Sequence, residues 1–187
     1  MPEEPIKLAV KPLDPAMDRA AFVCSDAELT AYFSGNGSQP RTLTFDLKQR
    51  LAVTKAHVML DENTNEIIGL FTLSNLSIPV SDLPTGGLRR GQHTDVAATL
   101  LGRMAVSLAR ENQGFGKKLV YAALTRAYQA TAFSASAVIV VDPKREDLVP
   151  FYEKFEFTKT LSNTKPLRMF VPMKTVRDEV PHSLLHD

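Results

Sequence analysis

The chain has 187 residues, 44% of them apolar and 23% charged, the make-up of one globular domain large enough to bury a core. Its 22 basic and 21 acidic residues leave a formal charge of +1. That excludes a binder that holds nucleic acid by bulk charge, so any such contact has to come from local clusters. The single cysteine, Cys24, excludes an intrachain disulfide, and the four histidines, His57, His93, His182 and His186, show no ligand spacing, so no metal is expected.

In chain order, the acidic start Met1-Pro2-Glu3-Glu4-Pro5 lacks the apolar stretch of a secretory signal. No apolar run approaches the roughly 20 residues that span a bilayer. A cytoplasmic protein without a membrane segment is expected. A short strand is possible over Ile6–Val10. Ser25-Asp26-Ala27-Glu28-Leu29 reads as a helix start, with Ser25 as N-cap and Glu28 closing a capping box. That helix runs to about Phe33, and Ser34-Gly35-Asn36-Gly37-Ser38 breaks it. Val53–Leu60 and Ile67–Leu73, separated by the turn-rich Asp61-Glu62-Asn63-Thr64-Asn65, read as a hairpin. Ser77–Ala97, with Pro79, Pro84, Gly86, Gly87 and Gly91, reads as a long irregular loop of the kind that often carries function.

Ala98–Val106 is the next predicted strand and Ser107–Gly116 a loop. Phe115–Ala132 is the clearest helix, with Leu119, Val120, Ala123, Leu124, Ala127, Tyr128 and Thr131 at helical spacing. Ala137–Val141 is wholly apolar, as befits the centre of a sheet. Asp147–Phe155 is a short helix with Asp147 as N-cap, which puts Pro150 in the first turn where it is tolerated. Leu167–Met173 is a last strand, and Arg177–Asp187 a polar tail. The βαβ unit over 98–141 predicts an α/β or α+β domain with a mixed sheet.

The loop Arg110-Glu111-Asn112-Gln113-Gly114-Phe115-Gly116-Lys117-Lys118 joins a strand to a long helix. Glycines there let the backbone approach a phosphate, and the helix N-terminus offers unpaired N–H groups with a partial positive charge. Lys117 and Lys118 oppose the helix dipole unless an anion joins them. A plain glycine-rich turn with two solvated lysines fits the segment equally well. It is not a dinucleotide fingerprint, because the full Gly-x-Gly-x-x-Gly and a suitably placed acidic residue are missing, nor a Walker A loop, because Gly116-Lys117 is followed by Lys118 and not Ser or Thr. Tyr152, beside Phe151 and Phe155, reads by periodicity as a core aromatic.

Leu100-Leu101-Gly102-Arg103-Met104-Ala105-Val106 followed by Gln113-Gly114-Phe115-Gly116 resembles the acetyl-CoA motif of the GNAT acetyltransferases. Val140-Val141-Asp142 followed by Pro150-Phe151-Tyr152-Glu153-Lys154-Phe155-Glu156-Phe157 resembles their second motif. Phe22-Val23-Cys24, Gly69-Leu70-Phe71-Thr72-Leu73, Leu88–Gly91 and Leu167–Lys174 are similar to segments of one branch, the GNAT toxins of bacterial toxin–antitoxin modules. The resemblance spans roughly residues 20–175.

It implies a single GNAT domain over residues 1–176, α/β (α+β) with a mixed central sheet flanked by helices, and a tail over 177–187. It implies N-acetyl transfer from acetyl-CoA as co-substrate. Met104, Ala105 and Val106 would hold the donor with Gln113, Gly114, Phe115, Gly116 and Lys117. A backbone N–H near Ala105 or Val106 would serve the oxyanion, and Tyr152 would serve the leaving thiolate as catalytic acid. The implied acceptor is the amino group of aminoacyl-tRNA, which makes the protein a translation-inhibiting toxin. The implied partners are a ribbon-helix-helix antitoxin and a second copy in a homodimer. No strong base is implied; Glu28, Asp95 and His93 are the side chains that could serve. Phosphate contacts would draw on Arg41, Lys48, Arg50, Lys144 and Arg145 and, first, on Arg89 and Arg90 as the substrate-binding pair. Transfer to a small amine or a protein N-terminus, and a CoA-binding fold without catalysis, are the alternatives. Two positions depart from the family pattern. Glu111 stands where the family has Gln or Arg, and Glu156 where it has a Gly suited to a left-handed cap.

Overall fold

The computed structural model describes residues 5–35, 43, 53–89, 94–162 and 166–179. Among these, strands β1 (Leu8–Pro12), β2 (Lys55–Asp61), β3 (Ile67–Pro79), β4 (Asp95–Val106), β5 (Val138–Val141), β6 (Thr158–Lys159) and β7 (Met169–Pro172) alternate with helices α1 (Ala27–Ser34), α2 (Phe115–Ala130), α3 (Val149–Glu153) and α4 (Met173–Glu179). The strands form one sheet in the order β1-β2-β3-β4-β5-β7-β6. β4 and β5 are parallel and joined through α2, as the βαβ pattern requires, while β1–β2, β5–β7 and β6–β7 are antiparallel. The expected mixed sheet is therefore present.

The chain divides into two compact units, Met1–Thr72 with Arg103–Leu119, and Leu73–Gly102 with Val120–Asp187. In the first, β1 pairs with β2 from Leu8 opposite Asp61 to Pro12 opposite His57. Its core gathers Phe22, Phe33, Val58, Leu60, Leu70 and Ala105. The Phe22 and Tyr32 rings meet Phe33 edge-on, at centroid distances of 6.0 and 5.0 Å. Helix α1 begins one residue later than its sequence suggests. Asp26, not Ser25, is the N-cap, and its Oδ1 accepts the N–H groups of Glu28 and Leu29 at 2.9 and 3.1 Å. A carboxylate there also favours the positive end of the helix dipole. The helix ends on Gly35 at φ 78°, and the buried Arg19 donates from Nε to the Phe33 carbonyl at 2.9 Å.

In the second unit, Ile78, Leu83, Val96, Ala98, Val138, Val140 and Phe170 form the core. Part of the span expected to be an irregular loop, Ser77–Ala97, is regular, while residues 90–93 lie outside the described residues. β3 continues to Pro79, two short 3₁₀ turns follow at Val80–Asp82 and Gly87–Arg89, and β4 starts at Asp95. Exposed Asn75 and Ser77 alternate with half-buried Leu76 and buried Ile78, an exposed-face pattern that is easily read as loop. Asp147 does not cap α3. Its carboxylate pairs with Arg145 at 3.0 Å, a 3₁₀ turn over Glu146–Leu148 leads in, and Pro150 lies in the first helical turn as expected. Helix α4 takes up Arg177–Glu179, the start of the segment expected to be a tail; residues 180–187 lie outside the described residues.

Candidate active site

β4 outruns its parallel neighbour. The β4–β5 register extends from Ala98 opposite Val138 to Leu101 opposite Val141, while β4 continues to Val106. Met104, Ala105 and Val106 lie on this extension, Ala105 buried and the other two half-buried. The neighbouring β3 comes close at Gly69. A Cβ there would stand 2.9 Å from the Ala105 carbonyl oxygen and 2.6 Å from Leu119 Cδ1, so only glycine fits without displacement. Arg103 is fixed on both sides, its N–H donated to the buried Thr72 Oγ1 at 2.9 Å and its guanidinium 4.1 Å from the centroid of the Tyr32 ring.

Beyond β4 the chain makes a 3₁₀ turn, Leu108–Arg110, and then the glycine-bearing loop. Ser107 N–H donates to the Ile68 carbonyl and Leu108 N–H to the Val23 carbonyl, both at 2.8 Å. Arg110 Nε donates to Glu66 Oε1 at 3.0 Å, with a second bond between Nη2 and Oε2. Hydrogen bonding from Arg110 holds the Glu66 carboxyl below its ordinary range. Asn112 (φ 59°) and Gly114 (φ 83°) are both left-handed. Asn tolerates that region because its side chain is short and polar, and Gly has no Cβ to object. Open space surrounds the position of a Gly114 Cβ, so conformation rather than crowding selects glycine there. Gln113 donates from Nε2 to the Ala109 carbonyl at 3.1 Å. Phe115 is buried at the start of α2, with the Lys118 ammonium 5.2 Å from its ring centroid; Gly116 is half-buried and Lys117 exposed. An exposed helix N-terminus with a left-handed glycine before it and a lysine in its first turn is a fitting cradle for a phosphate.

Glu111 departs from the family pattern without pointing freely into this cradle. Its Oε1 accepts the Ser25 N–H at 3.1 Å.

Tyr152 lies on α3 with its ring buried, edge-on to Phe151 at 5.2 Å and to Phe157 at 5.7 Å. Burial pushes its hydroxyl up to about 12, so it is a proton donor at neutral pH and never a base there. Ahead of α3, Asp142 holds Arg168 by two hydrogen bonds of 2.7 Å, which raises the guanidinium's pKa further. The last residue of the turn that follows α3, Glu156, sits at φ 62°, the left-handed conformation for which the family's glycine is suited.

The remaining sequence candidates separate. Arg89 is spent on its own loop, donating from Nε to the Leu83 carbonyl at 2.9 Å and from Nη2 to the carbonyls of Leu83 and Ser81. Arg145 pairs with Asp147, and Glu28 and Asp95 are exposed. Arg90, His93, Arg41, Lys48 and Arg50 lie outside the described residues. Among the described residues no cluster of His, Cys, Asp or Glu could hold a metal, and no helix is long and apolar enough to cross a membrane. Sequence reasoning missed Glu66 and the left-handed Asn112. An Asn two positions before a loop glycine was the available signal for the latter.

Comparison with known proteins adds the lineage. A probable toxin TacT from Sinorhizobium fredii is 26% identical over 180 residues, covering 91% of this chain and 94% of its own. A tRNA-acetylating toxin from Mycobacterium tuberculosis is 31% identical over 111 residues, covering 59% of this chain and 65% of its own. The solved structure of AtaT complexed with acetyl-methionyl-tRNAfMet superposes with a TM-score of 0.78 at 18% identity, over 91% of this chain and 98% of that one. A mutant of the same toxin, bound to the C-terminus of the antitoxin AtaR and acetyl-CoA, does so with a TM-score of 0.71 at 17% identity, over 91% and 96%. The profile of the acetyltransferase (GNAT) family matches residues 25–157, from the start of α1 through the turn that follows α3, and the chain belongs to that family.

Proposed function

We propose that this protein transfers the acetyl group of acetyl-CoA to the α-amino group of aminoacyl-tRNA, so that the charged tRNA can no longer serve peptide-bond formation. The observation that carries the reading is the kinship, over nearly the whole chain, with a probable toxin, TacT, together with the shorter match to a tRNA-acetylating toxin. The likeness in fold to AtaT, a toxin solved with an acetylated aminoacyl-tRNA, supports it.

When bound, acetyl-CoA supplies a thioester carbonyl activated toward amines. In the proposed arrangement the amide groups of Gln113, Gly114, Phe115, Gly116 and Lys117 hold the pyrophosphate at the start of α2. The main chain of Met104–Val106, on the part of β4 that lies beyond the β5 ladder, pairs with the pantetheine amides. An N–H near Ala105 or Val106 faces the carbonyl oxygen as it gains negative charge.

The amine forms the new C–N bond as the C–S bond breaks, and one proton passes overall from nitrogen to sulfur. Tyr152 works as a hydrogen-bond donor to that sulfur. With a pKa of about 12 it is a weaker acid than a thiol, whose pKa is about 8.5. It therefore stabilises the departing thiolate without losing its proton permanently, and the attacking nitrogen is the net source. An α-amino group has a pKa near 8, so roughly a tenth to a quarter of it is neutral between pH 7 and about 7.5, enough that no strong base is required.

A ribbon-helix-helix antitoxin, a homodimeric assembly and a cytoplasmic setting complete the proposal. The Arg89 guanidinium, bonded to its own loop carbonyls, favours one competing reading, transfer to a small amine. The deciding experiment incubates the protein with radiolabelled acetyl-CoA and bulk charged tRNA, then with free amino acids and polyamines. Label in the aminoacyl-tRNA fraction is expected. Label only in free amines would replace the acceptor, and label in neither would remove the catalytic reading.

A further inference from the structure

Glu111 is the position at which this chain breaks the family's loop pattern, and Coulomb's law makes a carboxylate beside a pyrophosphate unfavourable. The geometry gives it another task. The segment Ser107–Glu111 is fastened at both ends. At its start, main-chain bonds of 2.8 Å run from Ser107 N–H to the Ile68 carbonyl and from Leu108 N–H to the Val23 carbonyl. At its end, Arg110 is forked onto Glu66, and Glu111 Oε1 takes the Ser25 N–H at 3.1 Å across 86 residues of sequence. The next residues are the left-handed Asn112 and Gly114, and then α2. Nothing nearby crowds Gly114. The loop is therefore held ahead of Asn112 by Glu111, within itself by the Gln113–Ala109 bond, and behind by the buried Phe115.

We propose that Glu111 is a positioning residue for the donor loop. By accepting the Ser25 N–H it fixes the chain immediately ahead of Asn112–Gly114 and so presents the loop's amides already arranged for the pyrophosphate. The same bond draws the carboxylate toward Ser25, at the head of α1. Of the family's two residues here, Gln could accept that N–H without the charge and Arg could not, so in this chain the acceptor and its reach are what the bond to Ser25 requires, not the negative sign. A loop ordered in advance spares the ligand the entropy of ordering it.

The inference rests on residues 113–117 being the acetyl-CoA loop. Its test uses the full chain with acetyl-CoA as the calorimetric titrant, and two variants that separate reach from charge. Glu111→Gln keeps the acceptor and removes the charge; it is expected to bind acetyl-CoA as tightly as the parent or a few-fold tighter. Glu111→Asp keeps the charge and withdraws the acceptor by one methylene. It is expected to bind about five- to ten-fold more weakly, the scale of one lost hydrogen bond, with kcat at saturating donor within about two-fold of the parent and the ligand-free melting temperature about 2–4 °C lower. The reverse order, Asp tight and Gln weak, would make charge the operative property and overturn the proposal. Equal affinity in all three proteins would overturn it as well. If the parent itself bound no acetyl-CoA, the donor-loop reading would fall, a result distinct from any ordering among the variants.

Discussion

In the proposed mechanism Tyr152 is where burial and chemistry meet most directly. Its ring lies between Phe151 and Phe157, and the desolvation that comes with that packing raises its hydroxyl to about 12 from an ordinary value of 10.0. Replacing it by Phe keeps the ring contacts and deletes the donor. Tyr152→Phe is therefore expected to lower kcat by about a hundredfold or more while leaving the affinity for acetyl-CoA nearly unchanged, as steady-state kinetics and calorimetry would show. A loss confined to donor affinity would assign Tyr152 to binding instead. The pKa has a further, signed consequence. A group whose folded pKa is raised holds its proton more tightly in the native state. Its contribution to stability is full below the unfolded value near pH 10 and is lost as pH rises toward about 12. Chemical unfolding of the parent between pH 9 and about 12 should show this decline, and the Phe variant should lack that part of it. Glu156 carries strain at the other end of the same turn. A non-glycine residue at φ 62° costs roughly 1–2 kcal/mol, against about 0.5–1 kcal/mol for the added chain freedom of glycine. Glu156→Gly should then stabilise the protein by about 0.5–1 kcal/mol in urea unfolding, and a destabilisation would mean that the Glu156 side chain makes an unrecognised contribution.

Among the elements, β3 and β4 show how tightly the backbone is arranged around the proposed donor site. Gly69 lets the Ala105 carbonyl and the first turns of α2 approach β3 together. Gly69→Ala places a methyl group 2.6 Å from Leu119 Cδ1 and 2.9 Å from that carbonyl. The leucine can turn aside, but the backbone oxygen yields only if the strands separate. The expected cost is about 1–3 kcal/mol, read as a lower urea midpoint with an unchanged slope; an unshifted midpoint would show that the strands give way freely. Elements with strong periodicity or uninterrupted apolar runs were legible in the sequence. Leu119, Val120, Ala123, Leu124 and Ala127 are buried on α2 as their spacing implies, and all of β5 is buried. What escaped was set by tertiary partners. Asp26 outcompetes Ser25 because its carboxylate reaches two N–H groups, and Ser25's own N–H goes to Glu111, 86 residues away. Asp147 looks like a cap until Arg145 claims it. β6, two residues long, and α4, directly after β7, have too little sequence to declare themselves. At the site, the glycines of the loop were visible as a motif, whereas the Glu66–Arg110 fork depends on a pairing that no spacing rule contains.

At the scale of the molecule the deciding quantity is charge. With 22 basic and 21 acidic residues the chain has almost no net field to draw in a polyanion. Several of its guanidiniums are also already engaged: Arg89 with its own loop carbonyls, Arg110 with Glu66, Arg145 with Asp147 and Arg168 with Asp142. A tRNA acceptor would then be held at its charged end by a few phosphate contacts and not along an extended basic face. Each phosphate neutralised contributes about −0.7 to the slope of log affinity against log salt on a single strand and about −0.9 on a B-form duplex. Two or three contacts give a slope of about −2, so affinity for charged tRNA is expected to fall roughly fifteen-fold between 50 and 200 mM salt. The comparison is fluorescence anisotropy of labelled aminoacyl-tRNA, titrated at a series of salt concentrations. A slope of about −6 or steeper would require a continuous basic surface. Its further cations would come from Arg41, Lys48, Arg50 and Arg90, which lie outside the described residues, or from a second subunit, whose presence sedimentation at the same salt concentrations would reveal.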